Sequence, residues 1–198
     1  MASKLTKIAQ EKSQLDMKFL SKKSITWIQS KMNGLNNVSR IPSTIKGEAS
    51  RHVDKFEPGH MYFFAYGPKG KNTLPYYDKF PLVLILKKEG NEFLGLNLHY
   101  LPIKYRVAFL DKLLDFAVYN KNHELQRIRV TYDILSASRR FKEFRPCIKK
   151  YLLSHVQSKI LAIQPHEWEV ATFLPVQQFA KEKPKVVWDE SVEEIRNS

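Results

Sequence analysis

Residues 58–102 read PGHMYFFAYGPKGKNTLPYYDKFPLVLILKKEGNEFLGLNLHYLP, and this stretch decides the fold. Three runs in it, Met61–Tyr66, Phe80–Lys87 and Glu92–His99, are rich in aromatic and branched residues and predict strands. The polar segment Lys88–Asn91 lies between the second and third runs and has the composition of a short hairpin turn. The stretch therefore predicts a compact, mainly antiparallel β unit.

Helical patterns flank this unit. Pro102 suits the first turn of a helix, and the apolar spacing after it predicts a helix near residues 103–119. Residues 134–156 are also predicted to be helical, with a break at Pro146. In the first segment, loosely helical spacing predicts two helices that end near Gly34.

Two shorter segments complete the predicted sheet. Arg127–Tyr132 alternates basic and branched residues as a strand does, and Val156–Ile163 is expected to return to the sheet. The fold class is then α+β: a small bent antiparallel sheet or an SH3-like partial barrel, packed by helices. The expected organisation is a helical N-terminal arm over residues 1–57, a core domain over residues 58–180 and an extended tail over residues 181–198.

Composition excludes several classes of protein. With 198 residues and 43% apolar content, the chain can bury a core of its own. No apolar run approaches the ~18 residues of a membrane span, so we expect a soluble, unsecreted protein without a membrane partner. The single cysteine, Cys147, excludes an internal disulfide and a multi-cysteine zinc site. We expect no metal and no cofactor.

Charge is the strongest compositional signal. The chain carries 33 basic and 20 acidic residues, for a net charge of +13, yet residues 165–198 contain four basic and seven acidic residues. A basic body with an acidic end is typical of proteins that bind nucleic acid or that join head to tail with copies or neighbours of complementary charge. Solubility alone is the simpler explanation.

Basic residues concentrate in two places. The longer loop Gly67–Pro75 frames Lys69 and Lys71 with glycine and proline. The denser group is interleaved with aromatic residues and comprises Arg139, Arg140, Lys142, Arg145, Lys149 and Lys150. Both are candidate contacts for nucleic acid or an acidic protein, because basic side chains bind phosphate and aromatic rings stack on bases. The alternative is a solvated basic surface whose aromatic residues face the core.

Three apolar residues in the arms are candidate anchors for a partner protein. Trp27 lies in the N-terminal arm, and Val187 and Trp188 lie in the tail. Aromatic side chains bury much area at modest entropic cost, which suits them to a partner's pocket. Packing of these residues on the chain's own core is the alternative.

Patterns typical of catalysis are weak. The six histidines are scattered, and none forms the i, i+4 pair of a zinc peptidase. Cys147 is expected to be a buried structural cysteine. Asp78 is expected to order its loop by a hydrogen bond, because it has no evident carboxylate partner for acid–base work. The chain is therefore interpreted as a binding protein and not as an enzyme.

Residues 58–180 resemble a group of virion proteins of T-even-type contractile-tailed bacteriophages. The resemblance rests on the patterns TLPYYDKFPLV, GLNLHYLP and EW…FLPV. Its members are variously described as structural, baseplate or DNA-end-protecting proteins. It implies a non-enzymatic virion protein of the tail, baseplate or neck that is assembled in the host cytoplasm. Such a protein would join neighbouring virion proteins through its arms and would also contact DNA, or would bind and protect DNA ends.

A second resemblance gives an alternative from another class. The Pro-Gly opening, strand, long loop and FPLVLIL segment are similar to the small barrel of PemK-type toxin endoribonucleases. That family has an arginine before the proline of the second strand, where this chain has Lys79, Phe80 and Pro81. A serine or threonine partner on the next strand is also missing. The resemblance implies a barrel topology more than it implies RNA cleavage.

Overall fold

The protein, seen in a computed structural model, has an α+β architecture, which confirms the predicted fold class. The structure describes residues 4–15, 22–33, 52–118 and 142–197. The strands are β1 (His52–Val53), β2 (Met61–Phe63), β3 (Tyr77–Asp78), β4 (Leu82–Glu89), β5 (Glu92–Asn97), β6 (Ile148–Leu152), β7 (Ile160–Ile163) and β8 (Phe179–Ala180). The helices are α1 (Lys4–Gln14), α2 (Lys22–Asn33), α3 (Ile103–Val118), α4 (Trp168–Ala171) and α5 (Pro184–Asn197). Short 3₁₀ turns cover Leu98–Tyr100, Lys142–Cys147, Leu153–His155 and Pro165–Glu167.

Six strands form one antiparallel sheet in the order β1-β7-β2-β4-β5-β6, and β3 and β8 form a separate antiparallel pair. Within the described residues β1 and β6 are the edges of the larger sheet, which therefore does not close into a barrel. Of the two predicted forms of the β unit, the open sheet is the one found. The three strands predicted from residues 58–102 appear as β2, β4 and β5.

Strand β4 is buried on both faces, because apolar residues fill every position of its first half. Leu82, Leu84 and Leu86 face the main core, which lies between the sheet and the helices. Val83 and Ile85 face a second, aromatic-rich core on the other side. Burial on both faces explains why the segment is a continuous apolar run and does not alternate with polar residues.

The β4–β5 hairpin forms where the sequence predicts it. Glu89 pairs with Glu92 across the turn, and Gly90 adopts a positive φ of 54°, a conformation that glycine adopts without strain. Further along β5, a Cβ atom on Gly95 would overlap the Val83 side chain. Glycine is therefore required there by close packing within the second core.

The two N-terminal helices are those predicted, and they pack on the chain's own core. Leu5 and Ile8 of α1 and Ile28 of α2 are buried in the main core. Lys12 also forms an ion pair with Glu169 in α4.

Two predicted elements are wrong. The helix predicted over residues 134–156 does not extend through β6, where residues 148–152 form a strand because they pair with β5 and Tyr151 stacks on Phe93. The tail predicted to be extended is helix α5, because Val187 and Ser191 lie four residues apart and bury one face. Arg127–Tyr132 and residues 134–141 lie outside the described residues.

None of the described helices combines the length and apolar character needed to cross a membrane.

Candidate functional site

A cleft of about 270 Å³ opens between the loop of residues 67–75, strands β3 and β6, and Tyr100. Its walls are unusually rich in tyrosine and carry two lysines. The lining residues are Tyr66, Pro68, Leu74, Pro75, Tyr76, Tyr77, Asp78, Tyr100, Lys149, Lys150 and Tyr151. Sequence reasoning identified the two lysines and the loop but did not bring them together.

Hydrogen bonds at both ends and at the tip hold the loop that forms one wall. Lys181 donates from Nζ to the carbonyl oxygens of Asn72 at 3.0 Å and Leu74 at 2.7 Å. The backbone of Lys181 has φ of 71°, the left-handed region that a lysine adopts only at a cost. His155 donates from Nδ1 to the Gly67 carbonyl at 2.8 Å. The loop is thus tied to β8 and to the segment after β6.

Asp78 closes the base of the cleft and is the centre of a buried polar network. Its carboxylate accepts hydrogen bonds from the Phe80 amide at 3.0 Å, Asn97 Nδ2 at 3.0 Å and His99 Nδ1 at 2.7 Å. The bond to Phe80 confirms the predicted loop-ordering role. Asp78 and His99 are 3% and 0% exposed, so this pair cannot touch a substrate in this conformation.

Arg106 of α3 extends the network and was missed from the sequence. Its guanidinium donates to the carbonyl oxygens of Leu101 at 2.6 Å and His99 at 3.2 Å. Burial lowers the pKa of Arg106 to about 10. The helical spacing of the sequence does indicate that Arg106 is buried, because it falls on the same helical face as the buried Phe109 and Leu110.

Lys149 places a positive charge inside the cleft. Its ammonium lies 4.1 Å from the centre of the Tyr100 ring, within the range of a cation–π contact. No carboxylate of the described residues forms an ion pair with it, and burial lowers the pKa of its ammonium. The site is therefore a partly desolvated cation in an aromatic setting, which favours binding of an anion.

Tyr77 offers an aromatic surface at the same cleft. Tyr66 and Tyr151 pack edge to face on each other, and Tyr76 packs against Tyr100. Tyr77 is half-buried and, among the described residues, makes no ring contact and no side-chain hydrogen bond. Tyr77 therefore offers a ligand ring surface that no other aromatic ring of the described residues covers.

The remaining predicted basic residues are placed as follows. Lys69 and Lys71 are exposed on the loop, and Arg145 is exposed on the turn that precedes β6. Lys150 lines the cleft and forms an ion pair with Glu92. Arg139 and Arg140 lie outside the described residues. Lys142 lies in the Lys142–Cys147 turn, of which only the backbone is described at that position.

The predicted anchors pack against the chain itself. Val187 is fully buried in the main core, so it is not available to a partner in this conformation. Trp188 donates from Nε1 to the His99 carbonyl at 2.8 Å and lies 5.5 Å from the Arg106 guanidinium. Trp27 is half-buried against the main core.

Neither candidate for thiol or metal chemistry gains support. Cys147 is 1% exposed, and burial raises the pKa of its thiol to about 12, so it is a structural cysteine. In the described part of the chain, His, Cys, Asp and Glu side chains form no group of three that could hold a metal ion.

The family model described as Phage T4 terminal DNA protecting protein matches residues 4–191. The chain belongs to this family. The match to the terminal DNA protecting protein family confirms the resemblance to T-even-type phage virion proteins, and this family is not one of enzymes. No curated protein and no solved structure matches the chain. The family match includes α1, α2, the whole sheet, the cleft and the first half of α5.

Proposed function

We propose that this chain binds the ends of linear phage DNA and shields them from exonucleases, as a non-enzymatic component of the virion. The family match over residues 4–191 supports the DNA end as the target. The single structural observation that carries the proposal is the Lys149 ammonium, which lies over the Tyr100 ring in a cleft lined by tyrosines and forms no ion pair with a carboxylate of the described residues.

Charge supports DNA as the partner. The chain has a net charge of +13, and the exposed Lys69 and Lys71 belong to the loop that forms one wall of the cleft. Lysine and arginine that neutralise phosphates release counterions, and this release supplies much of the affinity for DNA. The absence of a zinc finger or RNA-recognition signature in the sequence argues for binding without base-specific readout.

We further propose that the protein joins neighbouring virion proteins, at the tail, baseplate or neck, and that it is assembled with them in the host cytoplasm. The N-terminal segment, residues 1–57, is the best candidate for this contact, with Trp27 as an anchor that is only half-buried. Residues 181–198 do not supply the anchor, because Val187 is part of the core. No observation favours RNA cleavage, and the enclosed Asp78–His99 pair argues against it.

Exonuclease protection tests the DNA-end proposal. Linear duplex DNA is incubated with the purified protein and then with exonucleases of both polarities, and the surviving full-length DNA is measured. We expect survival to increase with protein concentration. As a control, circular DNA is incubated with the protein in the same way and then with an endonuclease. We expect the protein to give this DNA no protection. Degradation of the linear DNA at the rate of naked DNA would contradict the proposal.

A further inference from the structure

We propose that the cleft binds one unpaired terminal nucleotide of the DNA, with its phosphate at Lys149 and its base against Tyr77. The inference rests on the proposed function and names the part of the DNA end that the site recognises. Three features of the cleft support this binding mode, namely its charge, its aromatic surface and its size.

The phosphate position follows from the state of Lys149. Its ammonium has lost part of its hydration and is held over the Tyr100 ring at 4.1 Å. No carboxylate of the described residues lies within ion-pair distance of it, and Glu194 acts on it only from farther away, whereas Lys150 beside it is paired with Glu92. An entering phosphate would contact Lys149 directly without displacing an existing ion pair.

The base position follows from Tyr77. Base stacking on an aromatic ring tolerates any sequence, because every base has a π face. Tyr77 is only partly buried, lines the cleft and has no ring partner among the described residues. Pro68, Leu74 and Pro75 contribute apolar surface to the cleft, and this surface suits the sugar.

The size of the cleft suits a single nucleotide. About 270 Å³ lies just below the roughly 300–1,000 Å³ of typical small-molecule pockets. A duplex, whose major groove alone is about 12 Å wide, cannot enter such a space. The bound base must therefore be unpaired.

This requirement separates an end from the interior of DNA. Extruding an interior base breaks stacking on both of its sides, whereas a terminal base is stacked on one side and an overhanging base has no pair to break. A single-nucleotide cleft would therefore favour ends without reading sequence, which is what an end-protecting protein needs.

The test uses the full chain and short duplexes that carry 2-aminopurine, a fluorescent base whose emission falls on stacking. The label is placed at a one-nucleotide overhang or at an interior pair. The 5′ and 3′ overhangs are compared, each with and without a 5′-phosphate, to separate a terminal phosphate from an internucleotide phosphate. A duplex closed at both ends by non-nucleotide linkers, which add no unpaired base, is the matched DNA without a free end.

We expect quenching of the terminal label alone, and about tenfold tighter binding of the overhang duplex than of the closed duplex. Tyr77→Ala and Lys149→Met should each remove most of that difference, and Tyr77→Phe, which retains the ring, should keep it. Thermal unfolding of each variant establishes that it is folded.

Equal affinity for closed and open duplexes, or an unquenched terminal label, would overturn the inference. The exonuclease assay with the wild-type protein distinguishes the two proposals. Protection that persists without end-dependent quenching removes only the cleft inference, whereas loss of protection removes the proposed function.

Discussion

Lys149 shows how a single residue can reduce stability in favour of binding. Its ammonium is partly desolvated, and Glu194, which forms no direct ion pair with it, offsets this cost only in part. The charged ammonium lowers the stability of the native state, and binding of an anionic ligand would remove this cost. A residue with this property is better explained by ligand binding than by folding.

We predict that Lys149→Met leaves the free energy of unfolding at pH 7 unchanged or raises it by about 1 kcal/mol. Because burial lowers the native pKa of Lys149, the unfolded chain binds its proton more tightly than the native chain does. The free energy of unfolding of the wild type should therefore rise relative to that of the variant as the pH rises towards 10.5. Urea unfolding at pH 7.5 and pH 9.5 measures the difference, and a strong loss of stability at pH 7.5 would contradict the prediction.

His99 predicts a loss of stability in acid. Burial lowers its pKa, an effect strengthened by Arg106 and opposed by Asp78, so His99 is neutral in the native protein. Below about pH 6.5 the His99 imidazole binds a proton in the unfolded chain but not in the native chain. Stability should fall by about 1.4 kcal/mol per pH unit for this proton.

The comparison of wild type with His99→Gln isolates this contribution, because the other five histidines are common to both proteins. Chemical unfolding is measured between pH 7.5 and pH 5.5. Equal slopes of stability against pH in the two proteins would exclude His99 as the source.

At the scale of elements, helix α5 is part of the fold and not an appendage. Its buried face consists of Val187 and Ser191, with Ile195 packed against the main core. Tyr76 donates a hydrogen bond to Glu190 at 2.7 Å, so the helix also contacts a residue of the cleft wall. Burial, together with this bond, raises the pKa of Tyr76 and keeps its hydroxyl protonated.

We predict that Val187→Ala lowers the free energy of unfolding by about 1.5–3 kcal/mol, because Val187 is 0% exposed. The neighbouring Val186 is 38% exposed and provides a matched control, so Val186→Ala should change stability by less than about 0.5 kcal/mol. Denaturant unfolding followed by circular dichroism measures both. Equal effects would show that α5 does not pack as described.

The sequence predicted elements where pattern and local chemistry agree. The β4–β5 hairpin was predicted because its turn contains Gly90 and its strands are rich in branched residues. Strand β6 was missed because its short sequence, IKKYL, does not distinguish a strand from a helix. Its strand form is set by pairing with β5, a contact more than 50 residues away in the chain.

The candidate site was predicted only in part, for a similar reason. Lysines and aromatic residues can be identified from the composition of a segment, and Lys149, Lys150 and the loop were all predicted in this way. The polar network of Asp78, His99 and Arg106 was not predicted, because each of these residues, considered alone in the sequence, is interpreted differently. Only the folded chain brings them together.

At the scale of the whole molecule, the net charge overstates the charge available to DNA. Lys12 and Lys150 form ion pairs, Lys181 holds the loop, and Arg106 is buried. The position of the remaining charges should therefore matter more than their number.

We predict that a variant with Lys69, Lys71, Lys149 and Lys150 all replaced by Gln lowers the slope of log affinity against log salt by about 3.6, since each of the four lost phosphate contacts contributes about 0.9. The control replaces four exposed lysines elsewhere, namely Lys7, Lys159, Lys183 and Lys185. It removes the same charge and should change the slope by about 1 or less. Titrations of a labelled duplex at several salt concentrations measure both, and equal changes would show that DNA does not bind at the cleft.

The burial of Cys147 makes the molecule unusually convenient to label. It is the only thiol in the chain, and its raised pKa keeps it protonated and unreactive towards maleimides at neutral pH. A cysteine introduced at an exposed loop position such as Thr73 would then react alone, without prior removal of Cys147. A dye attached there could report, molecule by molecule, how long the protein resides on a DNA terminus.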